Sequence, residues 1–131
     1  MKSPSVFDAN IGVGDTKDRP SPVRDRVQLL AEMDRHGVER AIIYHVNSHE
    51  SLVESTLIDA ELEEWRNDRL LPQWTGWPTR ISIERLRERH RAGDLMSVRV
   101  CAGERVLAPF QPWLYGDLLS WLSDIGVPVV V

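Results

Sequence analysis

Four side chains in this 131-residue chain interrupt segments that otherwise read as apolar strands: Asp8, Asn10, His45 and Arg99. Asp8 and Asn10 sit in Val6-Phe7-Asp8-Ala9-Asn10-Ile11-Gly12. His45 ends Ala41-Ile42-Ile43-Tyr44-His45-Val46, and Arg99 lies within Met96-Ser97-Val98-Arg99-Val100-Cys101. An imidazole exchanges protons near neutral pH, so His45 is the candidate catalytic acid–base or orienting group. A guanidinium fork matches a carboxylate in two bonds, so Arg99 is a candidate substrate-binding residue. Asp8 and Asn10 can position substrate or water and join Arg99 in that role. Strand period two puts Val6, Asp8, Asn10 and Gly12 on one face, as it does Ala41, Ile43 and His45, and Ser97, Arg99 and Cys101. A sheet covered on both sides wants apolar residues on both faces, and α/β folds bind ligands at the carboxyl ends of their strands. Polar residues near four such positions point to a cleft there. Each is equally able to be an interior residue with internal hydrogen bonds.

Other constellations carry less. Gly12-Val13-Gly14-Asp15-Thr16-Lys17 follows a strand but lacks the third glycine of a dinucleotide loop, and no Gly-Lys-Ser/Thr is present for a P-loop. A phosphoacceptor receiver domain would need an acidic pair after strand one, an Asp closing strand three and a Lys closing strand five; all three are missing. His45 and His49 are four apart with Glu50 beside them, too few ligands on elements of unassured geometry for a zinc site. His36 and His90 read as last-turn helix residues favoured by the dipole. Cys101, the single cysteine, reads as a small buried hydrophobe.

The elements that must position these residues alternate along the chain. The strands are expected at Val6–Gly12, Ala41–Val46, Leu70–Trp77, Met96–Cys101 and Val127–Val131. A first helix is expected from the Ser21-Pro22 cap to Gly37, with Val23, Val27, Leu30, Ala31 and Asp34 on one face and Leu29 and Met33 widening it. A second spans Leu52–Arg66 on Leu57, Ile58, Leu62 and Trp65. A third is capped by Ser82 and ends at Gly93, with Ile83, Leu86 and His90 inward. A fourth runs from about Tyr115 to Ile125. The order βαβαβαβαβ implies parallel strands with right-handed crossovers. Two α/β architectures satisfy it: a five-stranded doubly wound sheet, or the first half of a (β/α)8 TIM barrel, which needs about 250 residues in full.

Composition sets the outer bounds. Hydrophobic residues are 42% and charged residues 27%, as in a globular domain. A net charge of −4 without a basic face argues against nucleic acid as a partner. No apolar run reaches the roughly 18 residues of a membrane helix, and Pro4 and Asp8 break any leader-like core. One cysteine permits no internal disulfide. These features read as a cytoplasmic protein without membrane partners.

Three segments resemble the amidohydrolase superfamily, in its amidohydrolase-related (decarboxylase-like) branch. Val6–Gly12 sits where that family has an apolar-Asp-x-His-x-His strand. Leu29–Tyr44 is similar to its helix, Gly-Val, basic residue, Ala, apolar strand segment. Gly126–Val131 is similar to its fifth strand. The resemblance spans residues 1–131 as the N-terminal half of the barrel, truncated after strand five. It implies metal-dependent hydrolysis or decarboxylation of a small carboxylate-bearing substrate, with a divalent metal as cofactor. The two strand-one histidines fall on Asn10 and Gly12, so those ligands are lost and no metal residue is assigned. The alternative is a non-catalytic amidohydrolase-like binding or assembly module, or an inactive fragment. Self-association through the strand edges at Val6–Gly12 and Val127–Val131 is expected in either case.

Overall fold

The computed structural model describes residues 5–15, 20–47, 55–100 and 111–131. These form β1 (Val6–Val13), α1 (Arg26–His36), β2 (Val38–His45), α2 (Ser55–Trp65), β3 (Leu70–Pro72), β4 (Trp74–Thr75), α3 (Arg80–Arg91), β5 (Val98–Arg99), α4 (Pro112–Asp124) and β6 (Val129–Val130). Every strand pair is parallel, in two three-stranded sheets ordered β1-β2-β3 and β4-β5-β6. The chain is therefore α/β, as expected, and falls into two compact units, each built on one sheet.

The expected third strand, Leu70–Trp77, is instead two strands in different sheets, parted at Gln73. Pro72 has no N–H to continue a ladder, and Gln73 spends its side chain on other partners. Within each sheet the strands follow chain order without the reversal that marks a doubly wound fold.

In the first unit, α1 starts later than the Ser-Pro signal suggests. Asp25 is the N-cap, its carboxylate accepting from Gln28 N at 2.9 Å, so residues 21–24 precede the helix. Gly37 closes it as expected, with φ +69° and its N–H on the carbonyls of Asp34 and Met33. Leu29 and Met33 are the buried pair, whereas Val27 is 75% exposed. The inward stripe thus lies on the residues expected only to widen it. On α2, Ile58 and Leu62 are buried and Leu57 is exposed. Arg26 Nη1 donates to the Arg66 carbonyl at 2.9 Å and closes the end of that helix.

In the second unit, Thr79 rather than Ser82 caps α3, accepting from Ser82 N at 3.2 Å. Ser82 is buried, and its hydroxyl accepts from Trp77 N at 2.9 Å. Leu86 faces inward as expected, but His90 is exposed, standing edge-on to Trp121 at 6.2 Å between ring centres. The core gathers Trp74, Val98, Val100, Leu86, Leu118 and Leu122. Trp74 is pinned by its indole N–H on the Asp94 carbonyl at 3.0 Å and by the Arg89 guanidinium 3.7 Å above its ring.

Candidate functional site

β1 does not keep the strict alternation expected of it. Asp8 pairs with Ala41 but Ile11 pairs with Ile43, so β1 spends three steps where β2 spends two. The extra residue is a β-bulge. Its local cause is Asp8, whose carboxylate accepts from Asn10 N at 2.9 Å and bends the chain back on itself. Past the bulge the faces exchange: Val13 pairs with His45, while Gly12 pairs with Tyr44, and a Cβ on Gly12 would meet the Tyr44 hydroxyl at 3.0 Å. Asp8 and Gly12 therefore do not share a face. Asp8 is half-buried and Asn10 exposed.

His45 does share its face with Ala41 and Ile43, all three buried. That face is the one covered by helix, because His45 reaches Glu61 of α2. Its Nε2 lies 2.7 Å from Glu61 Oε2, and Asn47 N donates to its Nδ1 at 3.1 Å. A backbone N–H can only donate, so Nδ1 carries no proton and the hydrogen sits on Nε2, donating to the carboxylate. Both ring nitrogens are thus engaged within the chain. The imidazole is 2% exposed, while the Glu61 side chain is 60% exposed. Asn47 extends the arrangement by donating from Nδ2 to the Asp15 carbonyl at 2.6 Å, which ties the loop after β2 to the loop after β1. Gly14, at φ +87°, lies against the ring so closely that a Cβ there would fall 2.4 Å from Nε2.

Arg99 belongs to the second unit, at the carboxyl end of β5 and paired with Thr75 of β4. Its Nε donates to Gln73 Oε1 at 2.8 Å, and Gln73 Nε2 donates to Ser97 Oγ at 2.6 Å. Chemistry leaves the amide one orientation: Arg Nε is only a donor, so the Gln oxygen must face it. Gln73 is 2% exposed and Ser97 3%. Thr75 is buried as well. These polar residues alternate with Trp74, Gly76, Val98 and Val100. A Cβ on Gly76 would meet Val98, Leu118 of α4 and Leu86 of α3. Both helices therefore cover one face of this sheet, and Gln73, Thr75, Ser97 and Arg99 occupy the other. A buried indole N–H with no hydrogen-bond partner among the described residues, Trp77 Nε1, follows β4 at the same strand end.

No family model, curated protein or solved structure matches this chain.

The amidohydrolase resemblance raises a divalent metal, and the residues here do not fit one. Asn10 offers a neutral amide, Gly12 offers no side chain, and the bulge removes the alternation a His-x-His pair relies on. Among the described residues, no three His, Cys, Asp or Glu side chains stand together as a ligand set. His49, Glu50 and Cys101 lie outside the described residues. Among the described residues, no helix is long and apolar enough to cross a membrane.

In the sequence Gln73 and Glu61 carry no assigned role, and Gly14 figures only as part of an incomplete glycine loop. Gln73 had a signal: it is the one amide in the run Leu70-Leu71-Pro72-Gln73-Trp74. Glu61 had none, since a carboxylate on an amphipathic helix is ordinary.

Proposed function

We propose that this chain is the N-terminal half of an amidohydrolase-like (β/α)8 barrel acting as a binding module for a small carboxylate-bearing ligand, with Arg99 as its anchor. The observation that carries the reading is the Arg99–Gln73–Ser97 chain of hydrogen bonds on the strand face turned away from α3 and α4. In a barrel that face lines the interior, and its carboxyl end is where ligands bind. The unreversed parallel order in both sheets supports the same reading. Burying polar side chains costs free energy unless they are bonded to one another, and a purely structural strand would carry valine or isoleucine there.

His45 favours the binding module over the hydrolase or decarboxylase. A proton-transfer residue must turn one ring nitrogen to the substrate. Here Glu61 takes one nitrogen and Asn47 N–H takes the other, so His45 holds the loops after β1 and β2 in place. Asp8 is likewise engaged with its own backbone, setting the bulge.

Calorimetric titration with acetate, malonate and neutral acetamide tests this. The carboxylates should bind and acetamide should not, and Arg99→Met should abolish binding while leaving the fold intact. Equal binding to Arg99→Met would refute the role of Arg99. Carboxylate turnover by the metal-loaded wild type, lost in His45→Phe, would restore the enzyme.

A further inference from the structure

The bonds around His45 hold only while its ring carries a single proton. We propose that they form a proton-operated clasp: a second proton on His45 releases Asn47, and with it the loop after β2 from the loop after β1. The clasp lies wholly within the first unit and involves neither Arg99 nor its sheet.

Asn47 N donates to Nδ1 at 3.1 Å, while Nε2 gives its hydrogen to Glu61 Oε2 at 2.7 Å. Imidazole is the side chain whose second proton comes and goes near neutral pH. Once charged, the ring carries a hydrogen on both nitrogens and has no acceptor left. That proton sets N–H against N–H at Asn47. Turning the ring over does not help, since it then presents either a donor nitrogen or a carbon. Nor is there room to move aside: the ring is 2% exposed, and a Cβ on Gly14 would stand 2.4 Å from Nε2. Glu61, by contrast, bonds a charged ring more strongly than a neutral one, because both partners are then ionised. The ring stays with α2, and Asn47 leaves.

Among the described residues, Glu61 is the one charged group bonded to the ring. From the β1 side, Asp15 meets Asn47 through its carbonyl, and its carboxylate accepts from Ser21 N at 2.8 Å. On the same face of β2, Ala41 and Ile43 bring no charge, and α1, which lies against β2, turns Leu29 and Met33 inward. Tyr44 belongs to the opposite face, beside Gly12. One bond next to the clasp does not depend on the proton: Val46 N donates to the Val13 carbonyl at 2.9 Å. The release therefore stops at the strand ends. What comes free is Asn47, whose Nδ2 bond to the Asp15 carbonyl joins two loops at the carboxyl end of a parallel sheet, where α/β folds meet their ligands.

The test follows amide hydrogen exchange in the full, nitrogen-labelled 131-residue chain as pH is lowered, with the Nδ1 resonance of His45 reporting ring protonation. As the ring gains its second proton, the Asn47 amide should lose protection on the order of tenfold after correction for the intrinsic effect of pH. The Val46 amide should keep its own. Two variants bracket the clasp. Asparagine carries an acceptor oxygen at about the reach of Nδ1 and does not titrate, so His45→Asn should keep Asn47 protected at every pH where the chain is folded. Phenylalanine offers no acceptor, so His45→Phe should leave Asn47 unprotected throughout. Should His45→Phe unfold, the contrast between wild type and His45→Asn still decides the matter. Asn47 protection unchanged as the ring protonates would overturn the proposal, as would a ring that stays neutral until the whole chain unfolds. So would the same loss in His45→Asn, which would place the acid effect on another group, or Val46 and Asn47 losing protection together, which is ordinary opening of the sheet.

Discussion

Replacing Gly14 by alanine should cost more than replacing any other left-handed glycine whose Cβ would enter open space, and the difference measures how firmly His45 is held. Two terms add. Gly14 sits at φ +87°, where an L side chain costs about 1–2 kcal/mol. The new methyl would also fall 2.4 Å from His45 Nε2, far inside contact distance, so the ring must move. The ring has little room, being buried and bonded at both nitrogens. Shifting it loses the bond to Glu61, worth about 1.5 kcal/mol at the low end for a charged acceptor, and the low end applies because Glu61 is largely exposed. Gly14→Ala should therefore cost about 2–4 kcal/mol. Gly37 is the internal control: φ is +69° and a Cβ there meets nothing within 4 Å. Gly37→Ala should cost only the conformational term, about 1–2 kcal/mol. Urea unfolding of both variants gives the comparison. In a His45→Ala background the Gly14→Ala cost should fall to the Gly37 value, because the obstructing ring is gone. Equal costs for the two alanines in the wild-type background would refute the close packing of Gly14 on His45.

Further outcomes follow from single contacts. Trp77→Phe leaves a cavity but also removes a buried indole N–H that has no hydrogen-bond partner among the described residues, so it should cost about 1 kcal/mol less in thermal unfolding than Trp74→Phe, whose indole N–H bonds the Asp94 carbonyl; an equal or larger cost would show that the Trp77 donor is satisfied. Asp25→Ala and Thr79→Ala each remove a helix cap and should cost about 1 kcal/mol, whereas Ser21→Ala, outside α1, should cost less than half of that. On β1, an edge strand of its sheet, Val6 and Phe7 are 45% and 47% exposed. Phe7→Lys should therefore reduce any concentration-dependent association seen by light scattering; association unchanged in that variant would exclude this edge.

The parallel α/β pattern was legible because apolar runs and helical stripes alternate along the chain, and Gly37 marked a true helix end. Helix starts were less legible. Ser21 and Ser82 carry the right side chains, but Asp25 and Thr79 stand where the first free N–H groups need an acceptor, and only the folded chain decides which donor is left over. Period two failed in β1 for a related reason. The Asp8 carboxylate bonded two residues ahead and inserted a bulge, which moved Gly12 to the other face. Ser97 and Arg99 were read correctly as sharing a face, since both reach Gln73. Gln73 is hidden because Leu70–Trp77 reads as one strand, while the chain leaves one sheet and joins the next at that residue. Glu61 was hidden because a pair sixteen positions apart has no period to betray it.

The central claim is that a small carboxylate docks on Arg99. Its most direct test is a malonate titration of nitrogen-labelled protein that follows the arginine Nε–Hε resonances. The Arg99 resonance should shift saturably with malonate and stay still with acetamide, while the resonances of the surface arginines Arg35 and Arg87 move only with the weak slope of general ion binding. An Arg99 resonance that stays fixed, or that merely drifts in step with Arg35 and Arg87, would contradict the claim.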